Sequence, residues 1–341
     1  MNILENISLQ KFNTFGIDIK AAKYVSIRND DDLRRLNDDG IFNSSKFLIL
    51  GDGSNILFTD DFDGFIVHSQ FKGMRILDSN DDSVILDVAA GEEWDNFVSI
   101  CLKNNYFGLE NLALIPGTVG AAAVQNIGAY GLEQKDYFHS LRGFDLEQNK
   151  FVEFNFDDCN YGYRSSIFKT KLKNKFIVTS VRYKLSKKFT ANLKYNDLRQ
   201  EIDKFSIEKV DAQYIYDTVC RLRRKKLPNP IVYGNAGSFF KNPVVEKSFY
   251  EQLKLKYPEI NGYVQTEETI KLSAAWLIEK AGWKGKRFGD AGVYDKHALI
   301  LINYGNASGR EIFDLSEKIR QSVNELFGVN LEPEVLIVKS T

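Results

Sequence analysis

The sequence predicts a chain of two or three domains in which helices and short strands are mixed. Three observations carry this. At 341 residues the chain is longer than one average domain and has material for more than one buried core. Short apolar runs bounded by glycine and acidic residues, such as Phe47-Leu48-Ile49-Leu50 before Gly51-Asp52-Gly53, read as strands. In residues 93–104, Trp94, Phe97, Val98, Cys101 and Leu102 recur at helical spacing and read as the inner face of an amphipathic helix.

Composition narrows the class. A hydrophobic fraction of 43% and a charged fraction of 27% are those of an ordinary globular protein, and a net charge of −1 gives no bias toward nucleic acid or membrane. The three cysteines, Cys101, Cys159 and Cys220, are odd in number and unpaired in spacing, which suits a reducing compartment. No segment approaches membrane-spanning length and the first residues lack a basic region followed by an apolar run. A cytoplasmic location is expected.

In chain order, Tyr24-Val25-Ser26-Ile27 reads as a strand, and Leu33 and Leu36 mark a helix. The strand 47–50 empties into Gly51-Asp52-Gly53-Ser54-Asn55, a turn that offers N–H groups and a hydroxyl to a phosphate; a plain β-turn is the alternative. Further strands are expected at 64–67, 83–88 and 176–185. The stretch 108–131 has no Lys or Arg and few large polar side chains. There Pro116-Gly117-Thr118 reads as a turn presenting successive N–H donors, and Gly120 to Ala123 as an absence of side chains that lets a cofactor approach. A tightly packed helix–strand corner explains the same residues equally well.

Beyond it, Tyr163-Arg164-Ser165-Ser166 places a guanidinium in a turn, aimed at a cleft or paired at the surface. Residues 206–226 read as a helix whose last turn, Arg221 to Lys226, complements the helix dipole. In Gly234-Asn235-Ala236-Gly237-Ser238-Phe239-Phe240-Lys241-Asn242-Pro243, small residues leave Ser238 open, and a serine that donates a proton needs placement rather than activation. Helix is expected at 271–281 and strand at 297–302. Ser308 and Glu311 form a capping box for a helix that buries Ile312, Leu315, Ile319, Val323 and Leu326 and stops at Gly328. A strand with Leu331-Glu332-Pro333-Glu334-Val335 at its mouth closes the chain. His and Cys are too few and scattered for a metal site.

Taken together and in this order, Asn13-Thr14-Phe15, Gly51 to Asn55, Ile115 to Gly120, Tyr163 to Ser166, Gly234 to Pro243 and Leu331 to Val335 resemble the UDP-N-acetylenolpyruvoylglucosamine reductase family, across nearly the whole chain. The resemblance implies an α+β protein. A two-lobe FAD-binding fold of the vanillyl-alcohol-oxidase type is joined to a C-terminal α+β substrate-binding domain. The implied lobes are residues 1–69 with 335–341, and 70–226; the substrate domain is 227–334.

It also implies an NADPH-dependent FAD enzyme of peptidoglycan precursor synthesis that reduces the enolpyruvyl ether of a UDP-sugar to UDP-N-acetylmuramate. The implied state is a monomer without nucleic-acid or membrane partners. Arg164 would stabilise the enolate, Ser238 would protonate the carbon, and Glu334 would assist. Gly53, Ser54, Asn55, Gly117, Thr118, Gly120 and Ala121 match flavin-binding positions. Lys226, Lys241 and Asn242 match positions near the diphosphate, and Tyr195 matches a tyrosine that closes over substrate. Asp52 stands where glycine is more usual, and no role passes to His297. The rivals are another FAD-dependent oxidoreductase of the same fold acting on a different substrate, and a flavin- or nucleotide-binding protein without catalysis.

Overall fold

The computed structural model describes residues 1–204 and 210–339, so positions 206–209 of the expected helix lie outside the described residues. Contacts divide the chain into two compact units. The first is Met1–Ile7, Ala21–Asp52 and Asp63–Lys225; the second is Ser8–Lys20, Gly53–Phe62 and Lys226–Thr341.

Among the described residues the first unit holds a two-stranded pair, Gly128–Ala129 with Leu132–Glu133, and two larger sheets. One has the order Leu4–Ser8, Lys20–Ile27, Phe62–Ser69, Phe47–Leu50, with the last two strands parallel. Strand Phe47–Leu50 buries only Leu50 fully, less than its four apolar residues suggest. The helix Asp30–Asp38 is capped by Asn29, which accepts from Asp32 N–H, and buries Leu33 and Leu36. The other sheet is antiparallel throughout, in the order Lys150–Asn155, Phe138–Asp145, Phe176–Ser186, Ser83–Ala89, Met74–Ser79. Helix Trp94–Lys103 buries Trp94, Phe97, Val98 and Cys101 in the core under this sheet. Each large apolar side chain so buried contributes about 1.5–3 kcal/mol relative to exposure. The Trp94 indole N–H, which cannot be left unpaired there, donates to the Leu112 carbonyl at 3.0 Å.

The second unit is built round the helix Gly309–Phe327. Its capping box is present: Ser308 Oγ accepts from Glu311 N–H, the Glu311 carboxylate accepts from Ser308 N–H, and Gly328 at φ +67° ends the helix. The buried stripe ends on Phe327, while Leu326, expected inside, is exposed. Strand Leu336–Val338 runs parallel to Ile56–Phe58.

Three expected elements shift: the helix expected over 206–226 begins at Ala212, with Val210 and Asp211 outside it. Residues Thr269–Leu272 form the central strand of a three-stranded sheet, with Lys271 paired to both Val244 and Tyr263, so the helix begins only at Ala274. Cross-strand pairing outweighs helix propensity, and Ser273 sets the new start by accepting from Trp276 N–H at 3.2 Å. Strand 297–302 shrinks to Leu301–Asn303, because Ile300 N–H turns back onto the His297 carbonyl at 3.1 Å. Among the described residues, no helix is long and apolar enough to cross a membrane.

Candidate active site

In the first unit the strand Phe47–Leu50 ends at Gly51, and Thr118 caps the short helix Val119–Gln125. A Cβ on Gly51 would lie 2.8 Å from Thr118 Oγ1, so the two turns touch. Two N–H groups just beyond that turn are already used: Val119 N–H donates to the Glu92 carbonyl and Gly120 N–H to the Ala90 carbonyl, both at 2.8 Å. Ala121 N–H meets Thr118 Oγ1 at 3.4 Å. Gly120 is small for a packing reason, since a Cβ there would come within 2.7 Å of the Ala90 Cβ. Gly117 sits at φ +116°. The paired turns thus carry small side chains apart from Asp52. The carboxyl of Asp52 is raised first by lost hydration and then by Glu93, against an opposing pull from Lys72. A surface of main chain and small residues fits a flavin nucleotide, which is held by close approach.

In the second unit, Gly53 turns at φ +64°, and a Cβ there would fall 2.0 Å from the Phe12 carbonyl oxygen. Asn55 donates through Nδ2 to the Glu334 carbonyl at 3.2 Å, and its own carbonyl accepts from Leu336 N–H at 3.0 Å. Glu334 is therefore fixed to the Gly53-Ser54-Asn55 turn.

Ser238 lies on an irregular extended segment held on both sides. Ser238 bridges Ile300, and Phe239 N–H donates to the Leu299 carbonyl at 2.8 Å. On the other side Phe240 bridges Pro333, Lys241 N–H donates to the Glu332 carbonyl at 2.9 Å, and Glu334 N–H donates to the Phe239 carbonyl at 2.8 Å. Phe239 and Phe240 are fully buried and anchor the segment, while Ser238 and Glu334 stay half-exposed. The structure thus brings Ser238, Glu334, Asn55 and Gly53 into one unit.

Arg164, Tyr195, Gly117, Thr118, Gly120 and Ala121 belong to the other unit. Arg164 takes a left-handed backbone at φ +53°, which costs about 1–2 kcal/mol and is held by its surroundings. Its Nη2 donates to the Gly128 carbonyl at 2.5 Å, and Asn126 Nδ2 fixes the adjoining turn through the Gly162 carbonyl at 2.9 Å. The Tyr195 ring meets Tyr130 edge-on at 5.2 Å. Asn111 supports that pair by donating to the carbonyls of Tyr130 and Asn192.

The basic end of helix Ala212–Lys226 is not uniformly a solvated face. Arg223 is half-buried and donates through Nε to the Leu114 carbonyl at 3.2 Å. Burial pushes its guanidinium down, with a smaller contribution of the same sign from Arg164. From the sequence, Arg223 counted only toward the helix dipole, and Asn126 and Thr14 had no role of their own, although Thr14 lies in the Asn13-Thr14-Phe15 motif. Lys241 pairs with Glu332 at 3.2 Å, and the Asn242 side-chain oxygen accepts from Ala274 N–H at 3.0 Å. Lys226 lies close enough to His297 for its charge, after burial, to help push that imidazole down.

Comparison with known proteins agrees with this architecture. Residues 21–153 match the FAD binding domain, and residues 229–338 match the C-terminal domain of UDP-N-acetylenolpyruvoylglucosamine reductase. The chain is 45% identical over 339 residues to UDP-N-acetylenolpyruvoylglucosamine reductase of Flavobacterium johnsoniae, covering 99% of this chain and 100% of that one. It is 42% identical to the enzyme of that name in Pseudomonas aeruginosa, with 98% of each chain covered. The crystal structure of the reductase from Thermus caldophilus shares the fold, with a TM-score of 0.66, 23% identity and 98% of each chain covered. These full-length identities establish that the chain belongs to the UDP-N-acetylenolpyruvoylglucosamine reductase family.

Proposed function

We infer that this chain reduces the enolpyruvyl ether of UDP-N-acetylglucosamine-enolpyruvate to the lactyl ether of UDP-N-acetylmuramate, using FAD and NADPH, a step of peptidoglycan precursor synthesis. The observation that supports the chemistry is the backbone tie between Glu334 N–H and the Phe239 carbonyl, which joins the segment carrying Glu334 to the residue after Ser238. Bound FAD would supply the redox chemistry, passing a hydride equivalent that originates in NADPH to the terminal carbon of the enolpyruvyl group.

The residues of this chain do the rest. Gly53, Ser54, Asn55, Gly117, Thr118, Gly120 and Ala121 hold the cofactor with main chain and small side chains. Arg164 neutralises the negative charge that builds on the substrate carboxylate, as a donor fixed in advance. Ser238 gives its hydroxyl proton to the carbon next to the carboxylate. A serine is a weak acid, and the step runs because the enolate is a far stronger base than water. Glu334 assists by hydrogen bonding or by returning a proton to Ser238. Lys226, Lys241 and Asn242 hold the nucleotide-sugar diphosphate, and Tyr195 closes over it. The cofactor is held by lobes at 1–69 with 335–341 and at 70–226, and the substrate by 227–334. The enzyme works as a cytoplasmic monomer without nucleic-acid partners.

A visible spectrum followed without air tests this reading. NADPH bleaches the flavin, and UDP-N-acetylglucosamine-enolpyruvate restores it. Bleaching without recovery would point to another FAD oxidoreductase of the same fold, and absence of flavin after reconstitution would overturn the reading.

A further inference from the structure

We propose that Thr14 is a positioning residue that sets the Ser238 hydroxyl for proton delivery; this rests on the reading of Ser238 as the proton donor. Thr14 bonds to two separate parts of the site. Its N–H donates to the Gly53 carbonyl at 3.1 Å, on the turn that leads through Asn55 to Glu334. Its hydroxyl donates to the Asn235 carbonyl at 2.6 Å, and its carbonyl accepts from Asn235 N–H at 3.0 Å. Asn235 is 4% exposed, so its carbonyl has little access to water in place of that hydroxyl.

Asn235 passes the restraint toward Ser238. Its side-chain oxygen accepts from Gly237 N–H at 2.9 Å, and its Nδ2 donates to the Tyr233 carbonyl at 2.8 Å. Gly237, at φ +69°, then turns the chain into Ser238.

The turn carrying Thr14 is itself rigid. Buried Asn13 donates to the carbonyls of Leu9 and Ile17 at 2.8 and 2.9 Å and accepts from Ile17 N–H at 3.0 Å. Phe15 is buried, and its carbonyl accepts from Asn303 Nδ2 at 3.0 Å. Asn303 N–H in turn donates to the Gly234 carbonyl at 2.7 Å. Residues 13–15 therefore hold the Gly53 turn and both ends of 234–235 in one frame. Thr14 contributes the only side-chain hydroxyl of that motif. Proton transfer depends steeply on donor placement, so a small release of 235–238 acts on the protonation step before it acts on binding.

The test pairs T14V, which keeps the shape and removes the donor, with T14S, which keeps the donor. Stopped-flow absorbance follows flavin reduction by NADPH and flavin reoxidation by UDP-N-acetylglucosamine-enolpyruvate separately. For T14V, reoxidation slows by about 10- to 100-fold with a larger solvent deuterium isotope effect. Reduction by NADPH and the substrate dissociation constant stay within about threefold. FAD affinity, read by flavin fluorescence, also stays within about threefold, because the Thr14 N–H to Gly53 bond survives. T14S restores reoxidation.

Equal slowing of both half-reactions or no rescue by T14S would make Thr14 merely structural and overturn the proposal. If T14V does not bind FAD, T14A is read in the same way, and loss of FAD by both overturns it. S238A run in parallel separates the two ideas. If S238A leaves reoxidation unchanged, the proton-donor reading fails; if S238A slows reoxidation and T14V does not, only the role of Thr14 fails.

Discussion

Glu334 N–H donates to the Phe239 carbonyl at 2.8 Å, which joins the mouth of the last strand to the segment bearing Ser238. The two residues are 95 positions apart in sequence, and the bond holds because Asn55 fixes Glu334 from the other side and Phe239 is fully buried. Ser238, proposed as the proton donor, sits on that braced segment, and donating a proton asks for placement rather than activation as a nucleophile.

Replacing Ser238 by alanine therefore separates the half-reactions. Flavin reduction by NADPH is expected to stay within about twofold, while reoxidation by substrate falls by about 10²- to 10⁴-fold, the range of a lost general acid. Stopped-flow spectroscopy of the two steps checks it, and equal loss in both would remove Ser238 from proton transfer.

Arg164 tests charge against shape. Its guanidinium is aimed by the bond to the Gly128 carbonyl, from a left-handed backbone that a lysine would share, and a lysine ammonium does not reproduce that planar donor in the same direction. R164K keeps the charge and loses the aim, so kcat falls by about 10²- to 10³-fold. FAD content and the rate of flavin reduction remain near wild type. A lysine variant with full activity would show that position-independent charge suffices.

Gly120 separates packing from cofactor approach. A Cβ at this position meets the Ala90 Cβ at 2.7 Å, so G120A overpacks a helix–strand contact and destabilises the protein by about 1–3 kcal/mol. The loss is expected equally in protein stripped of FAD and in protein loaded with it, as measured by urea unfolding. A loss confined to the loaded form would mean that the missing side chain serves the cofactor.

Gly120 also marks how far the sequence could be read. Its absence of side chain was legible, with close packing as one of two equal readings, but the partner was not, because Ala90 is distant in sequence and becomes its neighbour only in the fold. The capping box at Ser308 and Glu311 was fully legible, since both partners lie within one helical turn. Lys271 was misread as helical because its strand partners, Val244 and Tyr263, are set by tertiary pairing. Leu326 lost its place to Phe327 by one residue of helical rotation. Ser238 and Glu334 were found through resemblance. The bonds that join their segments, and the role of Asn126 behind Arg164, are long-range hydrogen bonds that no local pattern encodes.

His68 gives a pH prediction with a definite sign. It is half-buried, its Nδ1 lies 2.6 Å from the Tyr24 hydroxyl, and its pKa is lowered from 6.5, first by burial and then by the charge of Lys72. The unfolded chain keeps the ordinary value and so binds more protons in the window just below 6.5. Stability contributed by neutral His68 is thus present above that window, falls as pH drops through it, and levels off below the folded pKa. His297 is lowered too, by burial and then by Lys226 and Lys284, and adds a fall of the same sign. Ordinary carboxylates titrate lower, near about 4, while the raised carboxyls of Asp52 and Glu110 act with the opposite sign, so the comparison of wild type with H68Q isolates the histidine's share. Denaturant unfolding at pH 7.5 and pH 5.5 should therefore show the wild type losing stability on acidification, and H68Q losing less. An identical loss in H68Q would mean that the Tyr24 hydroxyl tolerates the imidazolium and that His297 carries the effect.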